Sequence, residues 1–130
     1  MAHSADVERI AEALVANCRA GRDRDNINAF YADDAVSVEA IAPPGGEREK
    51  KGISAIHGKH DFWQDTMEEL ESSAEGPFYD GAGRFSVIFK AQARDRTSEE
   101  IIDLHEVAVY TVEGGKIVRE EFFYAFPSSS

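Results

Sequence analysis

From Phe85 almost to its end the chain keeps to a period of two. Phe85, Val87, Phe89, Ala91 and Ala93 alternate with Ser86, Ile88, Lys90, Gln92 and Arg94. The turn signal Asp95-Arg96-Thr97-Ser98 follows, and then a long alternating run from about Glu100 to Val112. Glu113-Gly114-Gly115-Lys116 reads as a tight hairpin, and a last strand runs from Ile117 to about Phe126. Links this short join antiparallel neighbours, because a parallel crossover needs a dozen residues or more. A meander of this kind must bury one face, and the cover has to come from the N-terminal half of the chain.

That half has the other periodicity. Val7, Ile10, Ala11, Leu14, Val15 and Cys18 fall on one helical stripe, with Ser4 placed to cap its start and Gly21 to end it. A short helix is predicted over Asp25 to Tyr31, with Ile27, Phe30 and Tyr31 as its apolar side and Asp33-Asp34 as its end. The run from Ala35 to Ile41 is β-branched. It puts Val36, Val38 and Ala40 on one face and Ser37, Glu39 and Ile41 on the other. Pro43 to Gly52 reads as a solvated loop. Ile53, Ile56, His60, Trp63, Met67 and Leu70 predict a third helix, with Asp61, Asp65, Glu68, Glu69 and Glu71 outside. Helices segregated from a meandering sheet make an α+β domain. Three N-terminal helices packed in a bent, mostly antiparallel sheet form a cone whose open end is a pocket. With 130 residues we expect a single domain over 1–130, its ordered core spanning 3–126.

Charge and cysteine content remove several function classes. The formal net charge of −11 opposes binding to nucleic acid or to an anionic membrane surface. One cysteine, Cys18, allows neither an intramolecular disulfide nor a Cys-based zinc site, and its place on the helical stripe reads as core. The acidic start, MAHSADVERIAEALV, is not a signal peptide, and no apolar run is long enough to span a membrane. The cytoplasm is the expected compartment. No glycine-rich dinucleotide fingerprint, phosphate loop or Gly-x-Ser-x-Gly occurs, so no cofactor is expected. His57-x-x-His60 followed by Asp61 lacks a third ligand in register, so no metal is expected either.

Several segments together resemble the nuclear transport factor 2-like superfamily, the cystatin-like α+β cone that includes the SnoaL-like group. They are Ala20-Gly21, the phrase from Phe30 to Glu39, Gly52-Ile53-Ser54-Ala55-Ile56, and Tyr110 to Val118. Ser37-Val38-Glu39-Ala40, Gly58-Lys59 before Trp63, Glu75-Gly76-Pro77, Glu106-Val107 and the Glu120 to Tyr124 ending are similar to a bacterial SnoaL-like subgroup. The superfamily includes ketosteroid isomerases, polyketide cyclases, dehydratases, epoxide hydrolases and binding domains, so the resemblance implies a fold and not one reaction. Set beside ketosteroid isomerase, Glu39 falls where that enzyme has its general base, and Glu106 near its hydrogen-bond-donating acid. Leu14 replaces its oxyanion-hole tyrosine. The full isomerase constellation is therefore absent, and carboxylate acid–base chemistry stays open.

The residues themselves support a pocket. Glu39 stands between apolar neighbours in a short strand, where desolvation favours its neutral form. Glu106 shares a face with Ile102, Leu104, Ala108 and Tyr110, which calls for pairing, protonation or a cavity. His60 lies on the apolar helix stripe, either as a hydrogen-bonded core residue or tuned by Glu39 or Glu106. Trp63, Tyr110, Phe122 and Tyr124 would supply aromatic walls. His57 falls off the stripe, and His105 faces away from Glu106. The expected function is proton transfer, isomerisation, cyclisation or hydration of a small apolar carbonyl compound, with Glu39 as base and Glu106 or His60 as donor. A non-catalytic small-ligand-binding domain and an interaction module are the alternatives. Ile101, Val107 and Val109 give the sheet a second apolar face, so a homodimer through that face is expected.

Overall fold

The stripe read from the first segment is the side of the helix that meets the sheet. In this computed structural model, which describes residues 5–43, 45–125 and 128–129, α1 (Ala5–Arg19) buries Val7, Ile10, Ala11, Leu14 and Val15. Gly21 follows at φ +73°, the left-handed conformation that ends a helix cheaply only in glycine. Ser4, the expected cap, lies outside the described residues. α2 (Asp25–Phe30) buries Asn26 and Ile27. Tyr31 is already extended and opens β1 (Tyr31–Val38), so the expected helix stops one residue sooner. Asp33 and Asp34 do not close the helix. They sit exposed within β1, where the pairing register shifts between Tyr31 and Val36.

Two segments depart from the sequence reading. Within the expected loop, β2 (Glu49–Lys51) pairs antiparallel with β1. Its Glu-Lys-Lys composition carries no strand signal, because an edge strand needs backbone pairing and charged side chains rather than a buried face. α3 (Ile53–Thr66) ends before Met67, although the helical spacing continues through Leu70. Met67 is extended and begins β3 (Met67–Tyr79), in which Glu68 through Ser73 are all exposed. No period-two pattern announces a strand with neither face covered. Pairing with β4 (Arg84–Asp95) overrides the local helical spacing, and Arg94 reaches Glu68 at 2.8 Å.

The remaining strands are β5 (Ile101–Glu113), β6 (Lys116–Phe123) and the two-residue β7 (Ser128–Ser129). β6 ends at Phe123, short of the expected Phe126, which lies outside the described residues. Gly114 and Gly115 make the hairpin with φ of +59° and +76°. The order in the sheet is β2-β1-β6-β5-β4-β3, with β7 beside β5. Every pairing is antiparallel except β1 with β6. The core lies between the helices and one face of the sheet. Phe85, Val87, Ala108, Tyr110, Val112 and Ile117 meet the α1 stripe, Ile27 and Ile56. The rings of Phe85 and Tyr110 stack at 4.9 Å between centroids. Among the described residues no helix is long and apolar enough to cross a membrane.

Phe85 is fully buried and Phe62 is 65% exposed, so the two phenylalanines should respond very differently to truncation. Phe85→Ala is expected to cost about 3–5 kcal/mol, and Phe62→Ala less than about 0.5 kcal/mol. Urea unfolding monitored by fluorescence measures both. Equal losses would contradict this placement of the core.

Candidate active site

The parallel pairing of β1 with β6 sets Ser37 directly beside Glu120. Both point into the protein. Glu120 is only 4% exposed, a costly position for a carboxylate unless donors surround it. Ser37 Oγ donates to its Oε2 at 2.6 Å, and the Tyr31 hydroxyl donates to its Oε1. Two residues beyond Ser37, Glu39 returns to the same side of the chain, as strand alternation requires. Its Oε1 accepts the Tyr124 hydroxyl at 2.9 Å, and its Oε2 takes the ammonium of Lys59. Lys59 reaches down from α3 and also donates to Ser37 Oγ at 2.6 Å. Its Nζ stands 4.9 Å from the centroid of the Phe122 ring. One network thus runs Tyr124–Glu39–Lys59–Ser37–Glu120–Tyr31.

Glu106 borders this network without joining it. It lies on β5 opposite Phe89, two residues before Ala108, which pairs with Phe122. Among the described residues no hydrogen bond or ion pair engages its carboxylate. Burial, and then the charge of Glu39, push its pKa up to about 7; Glu120 adds to the rise and Lys59 opposes it. Tyr124 is pushed up to about 12, by burial first and then by Glu39. Burial and the Glu120 charge hold the Tyr31 and Tyr110 hydroxyls well above the ordinary tyrosine value. All three tyrosines stay protonated at neutral pH and can act as donors.

The structure brings Glu39, Phe122 and Tyr124 into the network and sets Glu106 beside it. Tyr110 is buried, with its ring against Phe85. Trp63 is half-buried near the end of α3, where its carbonyl accepts the Met67 N–H. His60 finds a different partner from the one expected. Its Nδ1 lies 3.5 Å from Asp23, which the turn before α2 carries to it, and no described contact joins it to Glu39 or Glu106. The His60 hydrogen bond is the main reason that the Asp23 carboxyl titrates below its ordinary value. His57 is held by Arg24 at 2.9 Å and by Asn28 at 3.1 Å. The two histidines therefore tie α3 to α2 and its approach. Among the described residues no group of three His, Cys, Asp or Glu side chains is placed to hold a metal ion. Cys18 packs against the core, and burial pushes its thiol up to about 12, which keeps it unreactive.

Lys59, Glu120, Ser37 and Tyr31 were not among the expected site residues. Lys59 falls at steps of three and four between Ile56 and Trp63, so it belongs to the inward stripe. Glu120 sits between Val118 and Phe122 in strand alternation, the same signal that singles out Glu106. Tyr31 reads as a helical apolar residue because only the tertiary pairing makes it a strand residue. A separate cavity of about 260 Å³ opens between Phe78, Tyr79, Arg84, Ser86 and Val109, and none of the network residues lines it.

Comparison with known proteins gives this geometry a family setting. The family model described as SnoaL-like domain matches residues 6–124. No curated protein matches the chain in sequence. Among solved structures, a candidate SnoaL-like polyketide cyclase from Mesorhizobium loti, also labelled carbohydrate phosphatase, is 30% identical. The match covers 91% of this chain and 98% of that one, at a TM-score of 0.84. An epoxide hydrolase of Mycobacterium tuberculosis superposes over 92% of this chain and 83% of its own, with 15% identity and a TM-score of 0.65. A computationally designed 17-OHP binder does so over 98% of this chain and all of its own, with 18% identity and a TM-score of 0.69. The last two likenesses speak for the fold alone.

The raised Glu106 pKa has a consequence for stability whose sign is fixed. The native state holds this proton more tightly than the unfolded chain, from an ordinary value of 4.5 up to about 7. Stability therefore falls as pH rises through that window and is flat on either side, by on the order of 3 kcal/mol. Glu106→Gln removes the charge that causes the loss. The variant should be more stable than wild type at pH 8, and the difference should shrink to little at pH 4. Thermal unfolding across that range measures it, and a constant difference would contradict the assignment.

Proposed function

We propose that this chain, which belongs to the SnoaL-like domain family, is a cofactor-independent acid–base enzyme that moves a proton on a small apolar carbonyl compound. Isomerisation, cyclisation and hydration are the reactions in its range. The observation that carries the reading is Glu106. It is a half-buried carboxyl with no described partner and a pKa near 7, opposite Phe89 on β4 and within the field of the Glu39–Lys59 ion pair. A group with that pKa accepts and returns a proton at neutral pH with little driving-force penalty. Glu39 is the base expected from sequence, yet Lys59 and Tyr124 already occupy both of its oxygens. In our reading Glu106 takes the proton from the carbon next to the carbonyl. Lys59, whose ammonium has a third N–H beyond those given to Glu39 and Ser37, supplies positive charge and a hydrogen bond to the oxygen that becomes negative. The same Glu106 proton then returns to the substrate at a second position. His60, engaged by Asp23, receives no proton-transfer role.

The name of the Mesorhizobium loti relative, polyketide cyclase, agrees with chemistry of this class. The competing reading, a carrier that binds a small apolar ligand without turnover, draws on the full satisfaction of Glu39 and Glu120 by internal donors. Exchange of α-protons with D₂O separates the two. Small open-chain and cyclic 1,3-dicarbonyl compounds should exchange faster in the presence of the protein. The rate should rise with pH through about 7 as Glu106 loses its proton. Glu106→Gln should slow it by about 10²–10⁴-fold. Binding by thermal shift without any catalysed exchange would favour the carrier.

We also propose that the protein works as a homodimer in a reducing cytoplasm. Half-buried Ile101, Val107 and Val109, with Phe123 at 50% exposure, leave apolar surface on the sheet face turned away from the helices. Screening at physiological salt confines the repulsion of the net charge to about 8 Å. Light scattering at micromolar concentration should return twice the monomer mass. Phe123→Lys should return the monomer, and a wild-type monomer would refute the assembly.

A further inference from the structure

Lys59 joins the two halves of the buried polar network. Its ammonium meets Glu39 directly and reaches Glu120 through Ser37, whose hydroxyl both accepts from Lys59 and donates to Glu120. The Phe122 ring lies 4.9 Å from it and limits where it can go. The stem comes from α3, while its partners belong to β1, the segment just beyond it, and β6. Lys59 thus clamps the helix over β1 and β6. The clamp also balances charge, since without the ammonium Glu39 and Glu120 would face one another across Ser37 with only hydroxyl donors between them.

We propose that Lys59 has a second role at this site, as a positioning residue that holds Glu39 and, through Ser37, Glu120 in place and supplies the positive field in which Glu106 exchanges its proton. The assignment rests on the reading of Glu106 as the proton carrier. The groups that act on Glu106 come from every side: Glu39 beyond β1, Lys59 from α3, Glu120 from β6, and the Tyr110 and Tyr124 hydroxyls. Of these, Lys59 alone is positive. Its removal should therefore shift Glu106 in one direction only, toward tighter proton binding. A purely structural lysine would alter stability and leave that midpoint where it was.

The experiment follows the Glu106 carboxyl carbon by NMR as pH is varied, in wild type and in three variants. Lys59→Met removes charge and hydrogen bonds, Lys59→Gln keeps a donor without charge, and Lys59→Arg keeps the charge. The Glu106 midpoint should lie near 7 in wild type and rise by about one pH unit in Lys59→Met and Lys59→Gln. Lys59→Arg should restore most of the wild-type value. A folded Lys59→Gln protein with an unchanged midpoint overturns the proposal. Should Lys59→Met and Lys59→Gln both fail to fold, the test is the change from wild type to Lys59→Arg, and a midpoint that moves up by a full unit despite the retained charge overturns it. No substrate enters this measurement. A shifted midpoint with no catalysed α-proton exchange in any protein would therefore leave Lys59 assigned and remove the enzymatic reading.

Discussion

The parallel pairing of β1 with β6 is the constraint from which the site follows. Among the described residues it is the one parallel pairing in the sheet, and it brings the N-terminal half of the chain against the last long strand. Its register puts Ser37 beside Glu120, and Glu120 is too deeply buried to be left with fewer donors. Tyr31 at the start of β1 and Ser37 near its end both answer that need. A slip of one residue would turn Ser37 and Glu39 away from the interior and strand Glu120. Breaking a buried charge from its partners costs about 3–5 kcal/mol, so the polar network helps to specify the register as the apolar core does.

Three glutamates of identical chemistry meet three different sets of neighbours. Glu120 has two hydroxyl donors, Glu39 has an ammonium and a hydroxyl, and Glu106 has neither. Burial first, and then the charge of Glu39, raise the proton affinity of Glu106; Lys59 opposes the rise and Glu120 adds to it. Division of roles among like groups by environment is a general way to run acid and base chemistry in one site.

Most of the fold could be read from periodicity, and the exceptions share a cause. α1, α2, β4, β5 and the Gly114-Gly115 hairpin each carry a pattern because each buries one face or requires one backbone geometry. β2 and β3 carry none, since their side chains are largely exposed and their partners are set by backbone pairing far away in sequence. Glu39, Glu106, Phe122 and Tyr124 could be found as polar or aromatic residues on strand faces that point inward. Lys59 and Glu120 bore the same kind of signal but were not singled out for the site, because a charged side chain on an apolar stripe declares itself only when its partner is known. Asp23 lies outside any periodic element, so no spacing argument could have joined it to His60.

For the proposed reaction, charge bears on the class of ligand at two distances. The whole protein carries −11, which repels anions at long range, and the site repeats that sign at short range. Glu39 and Lys59 form an ion pair, and Glu106 adds a negative charge when it gives up its proton. A carboxylate or phosphate brought against Glu106 would drive that proton affinity still higher and remove the base from use at neutral pH. A neutral carbonyl compound leaves the balance undisturbed until the reaction begins, when negative charge grows on its oxygen. Lys59 is the nearby group able to meet that charge, and it is already oriented by Glu39 and Ser37. On the proposed reading, the electrostatics favour a neutral, largely apolar substrate, since an anion would oppose the loss of the Glu106 proton.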